Sequence, residues 1–112
     1  LFLRKKNIVM NDLTQKVWAE QLSSDPDAIL LDVRTLEEIQ QGHIPGAKHL
    51  DIMNAGAFIE GAKELDKTKS YYVYCKSGGR SGQACMIMNS IGFEKAYNLM
   101  GGFMEWQGEK TI

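Results

Sequence analysis

The chain has 112 residues and a net charge of −1, with 13 Lys and Arg against 14 Asp and Glu. That length allows one domain over 1–112 whose core folds without disulfides or metal. The balanced charge excludes the basic footprint of a nucleic-acid binder, and no apolar run is long enough to cross a membrane. Two cysteines without C-x-x-C spacing, and two histidines apart from them, point away from a disulfide scaffold, a zinc site or a dithiol redox pair. No metal or cofactor is expected, and the location is read as cytoplasmic. Residues 1–6, with Arg4-Lys5-Lys6, read as a solvated tail.

Asn7 to Met10 is predicted as a short first strand, and Thr14 as the N-cap of a helix bearing Val17, Trp18 and Leu22 on one face. Asp25-Pro26-Asp27 breaks the pattern. Ala28 to Val33 is then apolar without alternation, the mark of a strand covered on both faces. Thr35 and Glu38 make a capping box for a helix ending at Gln41 and Gly42. Ile44-Pro45-Gly46 turns into a strand near Lys48 to Leu50, and Asn54 to Asp66 reads as a surface helix. Tyr71 to Tyr74 is the next strand and Arg80 to Ile91 the next helix, with Ala84, Ile87, Met88 and Ile91 on one face. Ala96 to Leu99 completes the sheet, and Gly101-Gly102 opens a terminal plug carrying Phe103 and Trp106. Strands alternating with helices give an α/β fold, a mostly parallel sheet of about five strands flanked by helices.

Cys75 lies at the carboxyl end of a strand, where ligands of open parallel sheets bind. It opens Cys75-Lys76-Ser77-Gly78-Gly79-Arg80-Ser81, in which two glycines let the backbone curl and a helix start turns its N–H groups back on the sulfur. A helix N-terminus and the cations Lys76 and Arg80 lower a thiol pKa from its free value near 8.5. Cys75 is the candidate nucleophile. Cysteine phosphatases carry C-x5-R around a phosphoryl group; here the spacing is C-x4-R, a tighter ring suited to one extra sulfur atom. Arg80 has two roles open, a substrate-facing cation or a brace onto a carboxylate. Ser81 is expected to cap the helix, Cys85 to be a packed thiol, and Asp32 with Arg34 a structural pair.

These segments, with Leu31-Asp32-Val33-Arg34, Gly42-His43-Ile44-Pro45-Gly46-Ala47 and Leu99-Met100-Gly101-Gly102 before Trp106, resemble a single-domain rhodanese over nearly the whole chain. The resemblance implies a three-layer rhodanese-like fold and a sulfurtransferase that passes sulfane sulfur through a Cys75 persulfide. Its donor would be thiosulfate or a persulfide, and its acceptor cyanide, a thiol or a partner protein. Cys75 is then catalytic, and Lys76, Ser77, Gly78, Gly79, Arg80 and Ser81 meet the donor. Ser77 departs from members that carry a second cation there. Competing readings are a docking module with an idle thiol, a persulfide carrier for a partner, and a cysteine phosphatase or arsenate reductase. The short loop argues against the last.

Overall fold

A computed structural model describes residues 11–112. Among them, strands and helices alternate: β1 Asp12–Leu13, α1 Gln15–Ser24, β2 Ile29–Asp32, α2 Leu36–Gln40, β3 Lys48–His49, α3 Ala55–Lys63, β4 Tyr71–Tyr74, α4 Gly79–Ser90, β5 Ala96–Leu99 and α5 Gly102–Glu105. The strands form one sheet in the order β1-β5-β4-β2-β3, with every pairing parallel. The predicted strand Asn7–Met10 and the expected tail lie outside the described residues.

The sheet is covered on both faces, as its unbroken apolar strands require. Side chains alternate along each strand. Leu31, Val33, Tyr71, Val73 and Cys75 therefore face Phe58 and Ala62 of α3 and Ala84, Cys85 and Met88 of α4. Leu30, Tyr72 and Tyr74 face the other way, onto Trp18 of α1, Ile44 and Trp106. Trp18 and Trp106 meet edge to face, with ring centroids 5.4 Å apart. The terminal plug is thus a wall of the core. Full burial of a side chain such as Leu31 or Val73 contributes about 1.5–3 kcal/mol.

Local chemistry sets the element ends. The Thr35 hydroxyl accepts from Glu38 N at 3.3 Å, and Glu38 Oε1 accepts from Thr35 N at 3.0 Å, completing the capping box. Asn54 caps α3 through Ala57 N at 3.1 Å. The helix stops at Lys63, short of the predicted Asp66: Glu64 N and Leu65 N turn to the carbonyls of Gly61 and Ala62, three residues back, and the Asp66 carboxylate then takes the backbone N–H and hydroxyl of Thr68 into a turn. His43 is structural: its backbone pairs with Thr111 and its Nδ1 lies 3.2 Å from Ile39 O.

Candidate active site

β4 lies between β5 and β2, and Cys75 follows its last residue. The chain then turns at Gly78, whose φ of +105° is strained for any residue with a side chain; a Cβ there would also come 3.3 Å from Leu99 O. That turn aims the Gly78 N–H back at Cys75 Sγ, 3.1 Å away. One residue later α4 begins, and the Ser81 hydroxyl reaches the same sulfur at 3.3 Å. Burial to 1% exposure pushes the Cys75 thiol up. The Ser81 hydroxyl and the backbone N–H groups of Ser81, Gly78 and Ser77 outweigh it, so the pKa falls below the ordinary thiol value.

The loop is braced from three sides. Arg80 forks onto Glu38 of α2, with both N···O distances 2.8 Å, and this pairing holds the Glu38 carboxyl down at about 2. Of the two roles open to Arg80, the structure shows the brace. From α5, Phe103 N donates to Cys75 O at 2.8 Å and Met104 N to Lys76 O at 3.0 Å. Gly102 makes this possible: at φ +62° it presses so close that a Cβ would collide with the Lys76 and Ser77 backbone. From β5, Asn98 donates to Gly78 O at 3.1 Å and to Asp12 Oδ1 at 2.8 Å, and accepts from the Ser81 hydroxyl at 2.5 Å.

The predicted site residues divide accordingly. Lys76, Ser77 and Gly79 are exposed on the rim, Gly78 and Arg80 are half-buried, and Cys75 and Ser81 form the floor. Two expectations are corrected. Ser81 does not cap α4: Gly78 occupies the N-cap, and Ser81, fully buried in the first turn, turns its hydroxyl onto Cys75 and Asn98. Nor is Arg80 a free cation for the thiolate, because Glu38 neutralises it, and hydrogen-bond donors dominate the lowering. Asn98 and Asp12 carry no local signature and are absent from the sequence-based site. The clue to Asn98 is a lone amide in a covered strand, which needs polar partners.

Asp32 and Arg34 form the expected structural pair at 2.8 Å, buried to 1% and 3% exposure. Arg34 also donates to Gly42 O at 2.8 Å and lies 4.5 Å over the Phe103 ring. Beside the loop is a cavity of about 210 Å³, lined by Arg34, Glu38, Gln41, Lys76, Phe103 and Met104 among others. With Arg34 and Glu38 paired, Lys76 is its one charged lining residue outside an ion pair among the described residues. Among the described residues, no cluster of three or more His, Cys, Asp or Glu could hold a metal ion. No helix there is long and apolar enough to cross a membrane.

The profile of the rhodanese-like domain matches residues 15–109. The chain belongs to the rhodanese-like family. It is 36% identical over 100 residues to the candidate sulfurtransferase YtwF of Bacillus subtilis, covering 89% of this chain and 93% of that one. It is 33% identical to the candidate sulfur carrier YrkF of the same organism over 88% of its own length, and spans about half (51%) of that relative. The crystal structure of a rhodanese-like domain protein from Staphylococcus aureus superposes with a TM-score of 0.75 at 28% identity, covering 89% of this chain and 94% of that one. Both the family expectation and the rhodanese-like sheet with its flanking helices therefore hold. Relatives of this kind support a sulfur-transferring or sulfur-carrying role for the rhodanese-like chain.

Proposed function

We propose that the protein is a sulfurtransferase working by double displacement through a persulfide on Cys75. The Cys75 thiolate attacks the outer sulfur of a donor; with thiosulfate, the S–S bond breaks and sulfite leaves with the bonding pair. The enzyme then holds Cys75–S–S⁻. A thiophile, cyanide or a thiolate, attacks the outer sulfur, leaves as thiocyanate or as a new persulfide, and returns the Cys75 thiolate. No net oxidation occurs, and no separate proton donor is needed.

The observation that carries this reading is the tight ring around Cys75, with the Gly78 N–H 3.1 Å from the sulfur and the C-x4-R loop closed by the Arg80–Glu38 fork. The N–H groups of Ser77, Gly78 and Ser81 crowd a space suited to a single added sulfur anion. Lys76, exposed beside the 210 Å³ cavity, meets the anionic donor. Ser77 supplies no second cation, so a less charged persulfide suits the rim as well as thiosulfate does. The intact mass of reduced protein after brief exposure to thiosulfate or an organic persulfide tests this. One added sulfur, lost in Cys75→Ser and discharged by cyanide, is expected; no adduct with either donor would overturn the reading.

One observation favours a carrier serving a protein acceptor as the second reading. Leu36, Met53 and Met100 follow the carboxyl ends of β2, β3 and β5, and with Met104 they leave exposed apolar side chains on the edge that bears Cys75. Discharge to a protein thiol much faster than to cyanide would select the carrier.

A further inference from the structure

The Ser81 hydroxyl has one proton and two neighbours that want it. Its Oγ is 2.5 Å from Asn98 Oδ1 and 3.3 Å from Cys75 Sγ, and all three residues are buried. An amide oxygen only accepts, so the 2.5 Å contact consumes the proton. The sulfur then faces hydroxyl lone pairs, which suit a thiol S–H and oppose a thiolate. The Asn98 amide has no freedom to turn round. Its Nδ2 lies 2.8 Å from Asp12 Oδ1 and 3.1 Å from Gly78 O, two atoms that only accept, so the NH₂ must face them and Oδ1 must face Ser81.

We propose that Asp12 and Asn98 are positioning residues that act through Ser81 to set how readily Cys75 becomes a thiolate. The inference deepens the sulfurtransferase reading and rests on Cys75 as the reacting sulfur. With the amide held by Asp12, ionisation of Cys75 obliges Ser81 to swing its proton from Asn98 to sulfur, leaving two oxygens 2.5 Å apart with lone pairs opposed. The free thiolate therefore keeps the Ser81 donor only at the cost of that opposed pair, which raises its energy and its nucleophilicity. Once an outer sulfur is bonded, the negative charge moves to it, the inner sulfur no longer needs the proton, and Ser81 returns to Asn98. The chain of contacts favours the loaded form over the empty thiolate.

Other charged and titratable groups surround this sulfur: Arg80 and Cys85 on α4, which feel its charge, Lys76 in the loop, and Asp12 of β1, whose charge reaches Cys85. Glu38 of α2 and Asp51 beyond β3 act on Arg80. The test must therefore separate the field of Asp12 from its hydrogen bond. The rate of Cys75 alkylation by iodoacetamide, read on its own peptide by mass spectrometry, is followed against pH in wild type, Asp12→Asn, Ser81→Ala and the double variant. Asp12 is exposed, and Asn there offers donor or acceptor, so only the longer contact to Gly78 O still orients the Asn98 amide, and the turned amide that releases the Ser81 proton to sulfur becomes accessible at the cost of that one bond. Asp12→Asn is expected to lower the Cys75 midpoint by roughly half to one unit and the limiting rate of the thiolate about two- to threefold, and to do neither in the Ser81→Ala background. Equal shifts in both backgrounds would leave only the field of Asp12, and no shift would take Asp12 and Asn98 out of the chain; either result overturns the inference. Alkylation needs no sulfur donor, so these shifts in a protein that fails to load from thiosulfate or persulfide would support the inference while the sulfurtransferase reading falls.

Discussion

Cys75 and Cys85 are free thiols in the same core cluster, ten positions apart and 1% and 0% exposed, yet their sulfurs meet opposite surroundings. Cys75 sits where a strand hands over to a helix, with the Gly78 N–H and Ser81 hydroxyl on its sulfur. Cys85 sits inside α4, where its sulfur receives no hydrogen bond among the described residues, and burial first, then the charges of Asp12 and Cys75, push its pKa up. Burial by itself silences a thiol. Backbone N–H groups fixed in place before the charge appears, joined by the Ser81 hydroxyl when it turns to the sulfur, reverse that effect, and a sharp turn at one glycine aims the Gly78 N–H.

The comparison breaks or sharpens through four variants, taken from the largest to the smallest effect on Cys75 chemistry. Cys75→Ser should remove sulfur loading and lower turnover by roughly three orders of magnitude or more. Loading that survives there, and disappears in a Cys85 variant, would invert the assignment. Ser81→Ala removes the hydroxyl that turns to hold the Cys75 pKa down, so the alkylation midpoint should rise and alkylation near neutral pH should slow several-fold. An unchanged midpoint would leave the reversal to backbone N–H groups alone.

Glu38→Gln loosens the brace rather than the donors. It should cost about 0.5–1 kcal/mol of stability in urea unfolding, while Cys75 still loads. Because the Glu38 pKa is depressed in the folded chain, from 4.5 to about 2, its contribution is present above pH 4.5 and lost as pH falls through about 2. The gap between wild type and Glu38→Gln should close over that window; a gap that stays constant with pH would show that the ion pair is not its source. Cys85→Ala should cost about 1–2 kcal/mol from the vacated core volume and leave the pH profile of Cys75 alkylation in place. A shifted profile would tie the two sulfurs together.

Much of the frame can be read along the chain because its causes are local. Thr35 and Glu38 announce a helix start within four residues, the unbroken apolar run into Leu31 announces a doubly covered strand, and Cys75 to Ser81 announces a turn onto a helix. The site is less legible where its parts come from different strands. Ser81 has the composition of a cap, but the Gly78 turn already fills that position, which leaves its hydroxyl for the sulfur. Glu38 reads as half of a capping box, and nothing near it in sequence reveals that Arg80, 42 positions on, takes the other side of its carboxylate. Asn98 and Asp12 join the site because β5 pairs with β1 and β4, a fact of sheet order that no short window contains.

The floor beneath the loop also limits what the site can become. Gly102 lies against the Lys76–Ser77 backbone with no room for a methyl group, while the N–H groups of Phe103 and Met104 hold the carbonyls of Cys75 and Lys76. A residue inserted at Lys76–Ser77 has nowhere to go inward, so it must lift the loop off α5 or fold over the sulfur, whereas beside exposed Gly79, where a Cβ would meet nothing, the chain has room. Widening the ring to oxyanion size from the Lys76–Ser77 side therefore calls for matched rebuilding at 101–104. A library of insertions at that side alone should yield a displaced loop rather than a new specificity.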